Sequence, residues 1–250
     1  MEIRIAEELK ALQALSTKLP YEGTRMFCGT ASIPGVGFFP CAWGSLDPAI
    51  PPSRRPIMIL GQDQDREGGL ARSKKKGDER YSPTWKNMQA LFGKAGMSME
   101  TCFFTNFIMG VRQQSNRNTG PSPALAHPAF MRASAALFME QIKVQKPQVI
   151  ITLGMIPFQL LSLVSTDLRY RAVGVETFED LAARDMLINT GVVFDDDQRT
   201  TITVVPICHP CQPQNSAKRV MSGAFEDEAG LLRQVAASMQ WSVVGETERG

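Results

Sequence analysis

The stretch PIMILGQDQD, residues 56–65, decides how the chain is read. Ile57 to Leu60 form a continuous apolar run, and Gly61 ends it ahead of two amides and two carboxylates, Gln62, Asp63, Gln64 and Asp65. A run this short and this uniformly apolar matches a strand buried on both faces, the kind parallel sheets contain. CFFTNF at 102–107, PQVIITLG at 147–154 and TITVVPICHP at 201–210 repeat the pattern. Helical spacing fills the intervals. In SPTWKNMQALFGKAG, 82–96, Ser82 can cap, Pro83 suits the first turn and Gly93 or Gly96 can end the helix. Residues 128–145 put Phe130, Leu137, Phe138 and Ile142 on apolar contacts, and MIPFQLLSLV at 155–164 follows the third strand as a helix. Residues 165–199 suggest a short helix, an edge strand and a turn around Asp195 to Asp197, and 216–240 a last helix weakened by Gly223 and Gly230. Buried strands alternating with helices predict an α/β fold, a three-layer α/β/α sandwich around a mostly parallel sheet of about four strands.

Composition narrows the classes. The chain has 250 residues, 43% of them hydrophobic, enough for one substantial core. No linker cuts its middle, so 1–250 reads as a single domain. An N-terminal helix over 2–18 and an irregular segment to 55, packed by Phe38, Phe39 and Trp43, precede a core over 56–240; the tail GETERG is expected to fray. A net charge of +2 excludes a broadly basic nucleic-acid binder and leaves only local patches, of which Arg72, Lys74, Lys75, Lys76 and Arg80 form the strongest. The N-terminus reads as amphipathic rather than as an export signal, and no apolar run is long enough for a membrane span. A cytoplasmic monomer with no membrane partner is the expectation. Five cysteines then stay reduced; Cys208 and Cys211 form a C-x-x-C pair without a second pair, so neither a metal nor another cofactor is expected.

Right-handed crossovers bring the C-terminal ends of parallel strands to one edge, where ligands of open α/β sheets bind. The first strand delivers Gln62 and Asp63 there, the second Asn106, the third Gly154 and the last His209, one of only two histidines. Each alone has an ordinary explanation: an Asn often completes a turn, and a His before Pro is often a satisfied surface or core group. Their joint arrival at one rim points to a functional site. His127 reads as a cap or surface residue at a helix start, and Trp85, Leu91 and Phe92 as core.

These residues also carry a resemblance. ILGQD resembles the first motif of the uracil-DNA glycosylase superfamily, GQDPYH or GEAPG after a strand. CFFTNFIMGVR is similar to its second strand, with an Asn in contexts such as LLLNT. RQQSNRNTG resembles RPPGNRTP of the iron–sulfur branch, FMEQIKVQKPQVIITLG resembles QI…KPKVIVALG, and VVPICHPC is similar to the last motif, a strand ending in HPS. The five occur in the family's order over about residues 56 to 240. The resemblance implies the same three-layer sandwich and removal of a flipped-out uracil or related damaged base from DNA. This chain departs from the pattern in places. The first motif continues as QDREGG, without the Tyr that excludes thymine; Arg72 in GLARS stands where a stacking Phe is expected; and Gly110 and a position near Met131 stand where the iron–sulfur branch has cysteines, so no cluster is implied.

Breaking an N-glycosidic bond develops positive charge on the sugar and negative charge on the base. By resemblance and by chemistry, Asp63 serves the sugar side as the carboxylate that holds water, and His209 serves the base carbonyl as a donor of oxyanion-hole type. Asn106 offers donor and acceptor to a pyrimidine edge, backbone at Gly61 and Gln62 lines the pocket, and Arg72 lies against the base. Lys74, Lys75, Lys76, Lys218 and Arg219 are the candidates for flanking phosphates. A non-catalytic nucleic-acid or nucleotide-binding protein on the same fold is the alternative. A nucleotide hydrolase or transferase is disfavoured, because neither G-x-x-x-x-G-K-[ST] nor G-x-G-x-x-G opening a helix occurs. Asp63, Asp65 and Glu67 as a hard-metal site is the weaker account of that acidic loop.

Overall fold

A computed structural model describes residues 21–22, 55–66, 83–108, 111–112, 120–195, 197–212 and 226–247. The expected helix over 2–18, the aromatic packing of Phe38, Phe39 and Trp43, and the Ser82 cap lie outside them. The first elements are β1 (Tyr21–Glu22), β2 (Ile57–Gly61), β3 (Gln64–Arg66), α1 (Pro83–Ala95), β4 (Cys102–Asn106) and β5 (Val111–Arg112). Then come α2 (Pro128–Gln145), β6 (Val149–Leu153), α3 (Met155–Leu160), α4 (Thr166–Arg171) and α5 (Phe178–Ala183). The chain closes with β7 (Asn189–Phe194), β8 (Asp197–Ile207) and α6 (Glu228–Thr247).

The central sheet has the order β4-β2-β6-β8-β7. Its first four strands are parallel, with Ile57 opposite both Cys102 and Val149, and Val149 opposite Thr203. Every residue of β2, β4 and β6 is buried, which is why these segments read as unbroken apolar runs. The fifth strand, β7, is the edge strand expected within 165–199; it runs antiparallel to β8 at the sheet's edge and brings the sheet to five strands.

Neighbouring side chains of β4 point to opposite faces and identify the layers. Phe104 meets the Trp85 ring of α1 edge-on at 4.6 Å, whereas the Thr105 hydroxyl donates to Gln141 Oε1 of α2 at 2.6 Å. Thus α1 covers one face and α2 the other. α6 packs beside α1, where Arg233 Nη1 donates to the Lys94 carbonyl at 3.1 Å. The sheet is therefore sandwiched between helices, and Met58, Phe103, Phe138, Ile150 and Val204 in its core are fully buried.

Local chemistry sets the helix ends. α1 stops at Gly96, whose φ of +71° suits glycine, and Met97 N–H closes back on the Phe92 carbonyl at 2.9 Å, a Schellman ending. Among the described residues α6 begins at Glu228, where the Asp227 carboxylate accepts the Gly230 N–H at 2.7 Å and caps the first turn; the expected start at 216 lies outside them. Its last turns take in residues 245–247, part of the tail expected to fray. Residues 155–164 form only a short α3 followed by a 3-10 turn, Leu161–Leu163.

A second, small sheet was not anticipated. β1, β5 and β3 pair in the order β1-β5-β3, so the segments expected to be polar loops after Asp63 and after Phe107 are joined by backbone pairing. Among the described residues, no helix is long and apolar enough to cross a membrane.

Candidate active site

The chain leaves β2 toward β4 on one side and leaves β6 toward β8 on the other. This reversal opens a crevice between the C-terminal ends of β2 and β6, the place where α/β sheets take ligands. The backbone straps each wall of the crevice. On the β2 side, Gly61 is the register partner of Asn106, Phe107 N–H donates to the Gly61 carbonyl at 3.0 Å, and Ile108 N–H donates to the Gln62 carbonyl at 2.9 Å. Gly61, Gln62 and Asn106 thus share one wall, and Asp63 follows Gln62 in the chain. Asn106 is 2% exposed, and Gln62 and Asp63 are half-buried. The Gln62 Nε2 is shielded from solvent and has no hydrogen-bond acceptor among the described residues. A buried amide donor without a partner is costly and suits a ligand acceptor or an ordered water.

On the β6 side, Gly154 N–H donates to the Ile207 carbonyl at 2.7 Å and ties the exits of β6 and β8 together. Gly154 has φ +98° and ψ 174°, a conformation open essentially to glycine alone. A Cβ there would lie 3.8 Å from the His209 Cβ, so the histidine sits directly against this glycine.

His209 opens a tight turn. Gln212 N–H donates to the His209 carbonyl at 2.8 Å, and Pro210 occupies the second position, where its fixed φ favours turning. Within the turn, Cys211 N–H donates to His209 Nδ1 at 3.3 Å, and the Cys211 Sγ lies 2.9 Å from the same nitrogen. A backbone N–H can only donate, so Nδ1 presents its lone pair and the ring proton is assigned to Nε2. Burial lowers the His209 pKa, favouring the neutral ring, and partial burial raises that of the Cys211 thiol, keeping its proton. The site therefore holds a neutral imidazole with an Nε2–H donor.

Two more contacts hold this turn. The Cys208 N–H donates to Glu228 Oε1 of α6 at 2.6 Å, and Asn87 Nδ2 of α1 donates to the Pro210 carbonyl at 2.7 Å. Neither Asn87 nor Glu228 carries a signal in the sequence, since each works across a long stretch of chain. Cys211 was visible only as half of a C-x-x-C pair; its thiol lies at the histidine, while Cys208 is buried. Among the described residues, no three His, Cys, Asp or Glu side chains cluster to hold a metal. Met131, near the position of a cluster cysteine, is a buried methionine of α2 and offers no thiolate.

Arg72, Lys74, Lys75, Lys76, Lys218 and Arg219 lie outside the described residues, as do Glu67 and Gly110. His127 stands at the start of α2, where its carbonyl accepts the Met131 N–H at 3.0 Å and its side chain makes no cap bond. Trp85 and Phe92 are core, and Leu91 packs against that core. No protein-family model matches the chain, and no curated protein matches it.

Proposed function

We propose that the chain is a divergent member of the uracil-DNA glycosylase superfamily that hydrolyses the N-glycosidic bond of a flipped-out uracil or related damaged base. One observation carries this reading: His209, neutral and with its proton assigned to Nε2, stands against Gly154 across the sheet crevice from Gln62, Asp63 and Asn106. Departure of the base leaves negative charge on its carbonyl and positive charge on the sugar. A neutral N–H donor stabilises the first without adding a full charge beforehand, and a carboxylate stabilises the second. Asn106, together with the Gln62 Nε2–H that meets no acceptor among the described residues, supplies donors and an acceptor for a base edge. The target must leave the duplex stack to reach such a crevice. Arg72 is proposed to lie against the base, and Lys74, Lys75, Lys76, Lys218 and Arg219 to hold DNA phosphates.

Base release from uracil-containing single- and double-stranded DNA, measured beside a binding titration, tests the proposal. Asp63→Asn and His209→Ala are each expected to lower release by about a hundredfold or more with circular dichroism unchanged. Wild-type rates in both variants would sink the assignment. Binding that weakens steeply with salt, without any base release, would replace it by non-catalytic nucleic-acid recognition.

A further inference from the structure

His209 has its Nδ1 held by the N–H of Cys211, and that N–H belongs to the Pro210–Cys211 peptide. A trans peptide is one rigid plane, with its C=O and N–H pointing in opposite directions. The carbonyl at the other end of this plane belongs to Pro210, and it accepts the Asn87 Nδ2 at 2.7 Å. Asn87 therefore grips the back of the peptide whose front faces the histidine. We infer that Asn87 is a positioning residue that sets the tautomer and orientation of His209 through the Pro210–Cys211 peptide.

Three features support this role. Asn87 lies on α1 and Pro210 follows β8, far apart in sequence, so the bond ties the histidine turn to a helix rather than to its own neighbours. α1 is itself fixed: Trp85, two residues before, is buried against Phe104 of β4, and Met88, one residue after, is fully buried. Finally, donation to a peptide carbonyl polarises the whole amide and strengthens the N–H on its far side. Loss of Asn87 thus removes both the restraint on the plane and part of the pull on Nδ1. The turn itself survives, since Pro210 and the Gln212 N–H to His209 carbonyl bond remain.

This inference rests on the proposed role of His209 as donor, and its test separates the two. Asn87 is exposed, and alanine is a better helix former, so Asn87→Ala should leave the fold intact. Asn87→Asp keeps the shape but replaces the donor by an acceptor facing a carbonyl oxygen. The first measurement is the long-range proton–nitrogen spectrum of the histidine rings at neutral pH; with two histidines in the chain, His127 serves as internal reference. The second is single-turnover base release on uracil-containing DNA, with DNA affinity measured in parallel.

In both variants the His209 signals should move from the Nε2–H pattern toward a mixture of tautomers while those of His127 stay in place. Base release should fall by about tenfold to a hundredfold, the scale of a small misplacement of a reacting group, with unchanged DNA affinity. A His209 spectrum identical to wild type in both variants overturns the inference whatever the rate does. A shifted spectrum with a wild-type rate overturns it as well. If the wild-type chain releases no base, the glycosylase assignment fails, and the spectrum alone then decides the role of Asn87.

Discussion

His209 concentrates the site's chemistry in one side chain, and its burial has a consequence for stability. The half-buried ring favours its neutral form, so its pKa in the folded chain lies below the ordinary 6.5. Above that value both states hold a neutral ring and stability is complete. As pH falls below it, the unfolded chain binds a proton that the folded chain resists, and stability drops until the folded pKa is passed. Each unit of depression is worth about 1.4 kcal/mol. Denaturant unfolding of the wild type should therefore weaken between neutral pH and mildly acidic pH, and His209→Gln should flatten this window. A variant with the wild-type slope would show that another group carries it. The nature of the side chains at the crevice was legible in the sequence, because strand ends advertise themselves where an apolar run stops. The two donors on Nδ1 were not legible, since they depend on how Pro210 bends the chain back on His209.

Short elements escaped where long ones did not. α2 runs over the 128–145 that its apolar spacing suggested, because eighteen residues average out local exceptions. β3 and β5 have three and two residues, too few to show any period, and they exist because they pair with each other. The start of α6 is set locally: Asp227 accepts the Gly230 N–H and closes the first turn. Asp227→Ala should cost about 1 kcal/mol, the usual worth of such a cap, seen as a lower denaturation midpoint with an unchanged slope. No change at all would assign the helix start to tertiary packing instead.

Across the whole molecule, the sandwich and the site are one construction. Phe138 of α2 is fully buried and stacks at 5.2 Å on Phe107, the residue directly after Asn106. Phe138→Ala should cost about 3–5 kcal/mol by opening a cavity between layers, measured by denaturant unfolding. A cost under 1 kcal/mol would mean that the layers close over the gap. The amino-acid sequence by itself determined the α/β class, the four parallel strands and the residues at their ends, because a strand buried on both faces leaves an unmistakable apolar run and a helix a fixed spacing. Only the tertiary structure decided the strand order, and with it the crevice between β2 and β6. Likewise, only the fold brought Asn87 and Glu228 to the turn that carries His209. Strand order and long-range hydrogen bonds join segments distant along the chain, and no local pattern of residues records which distant partner will be met.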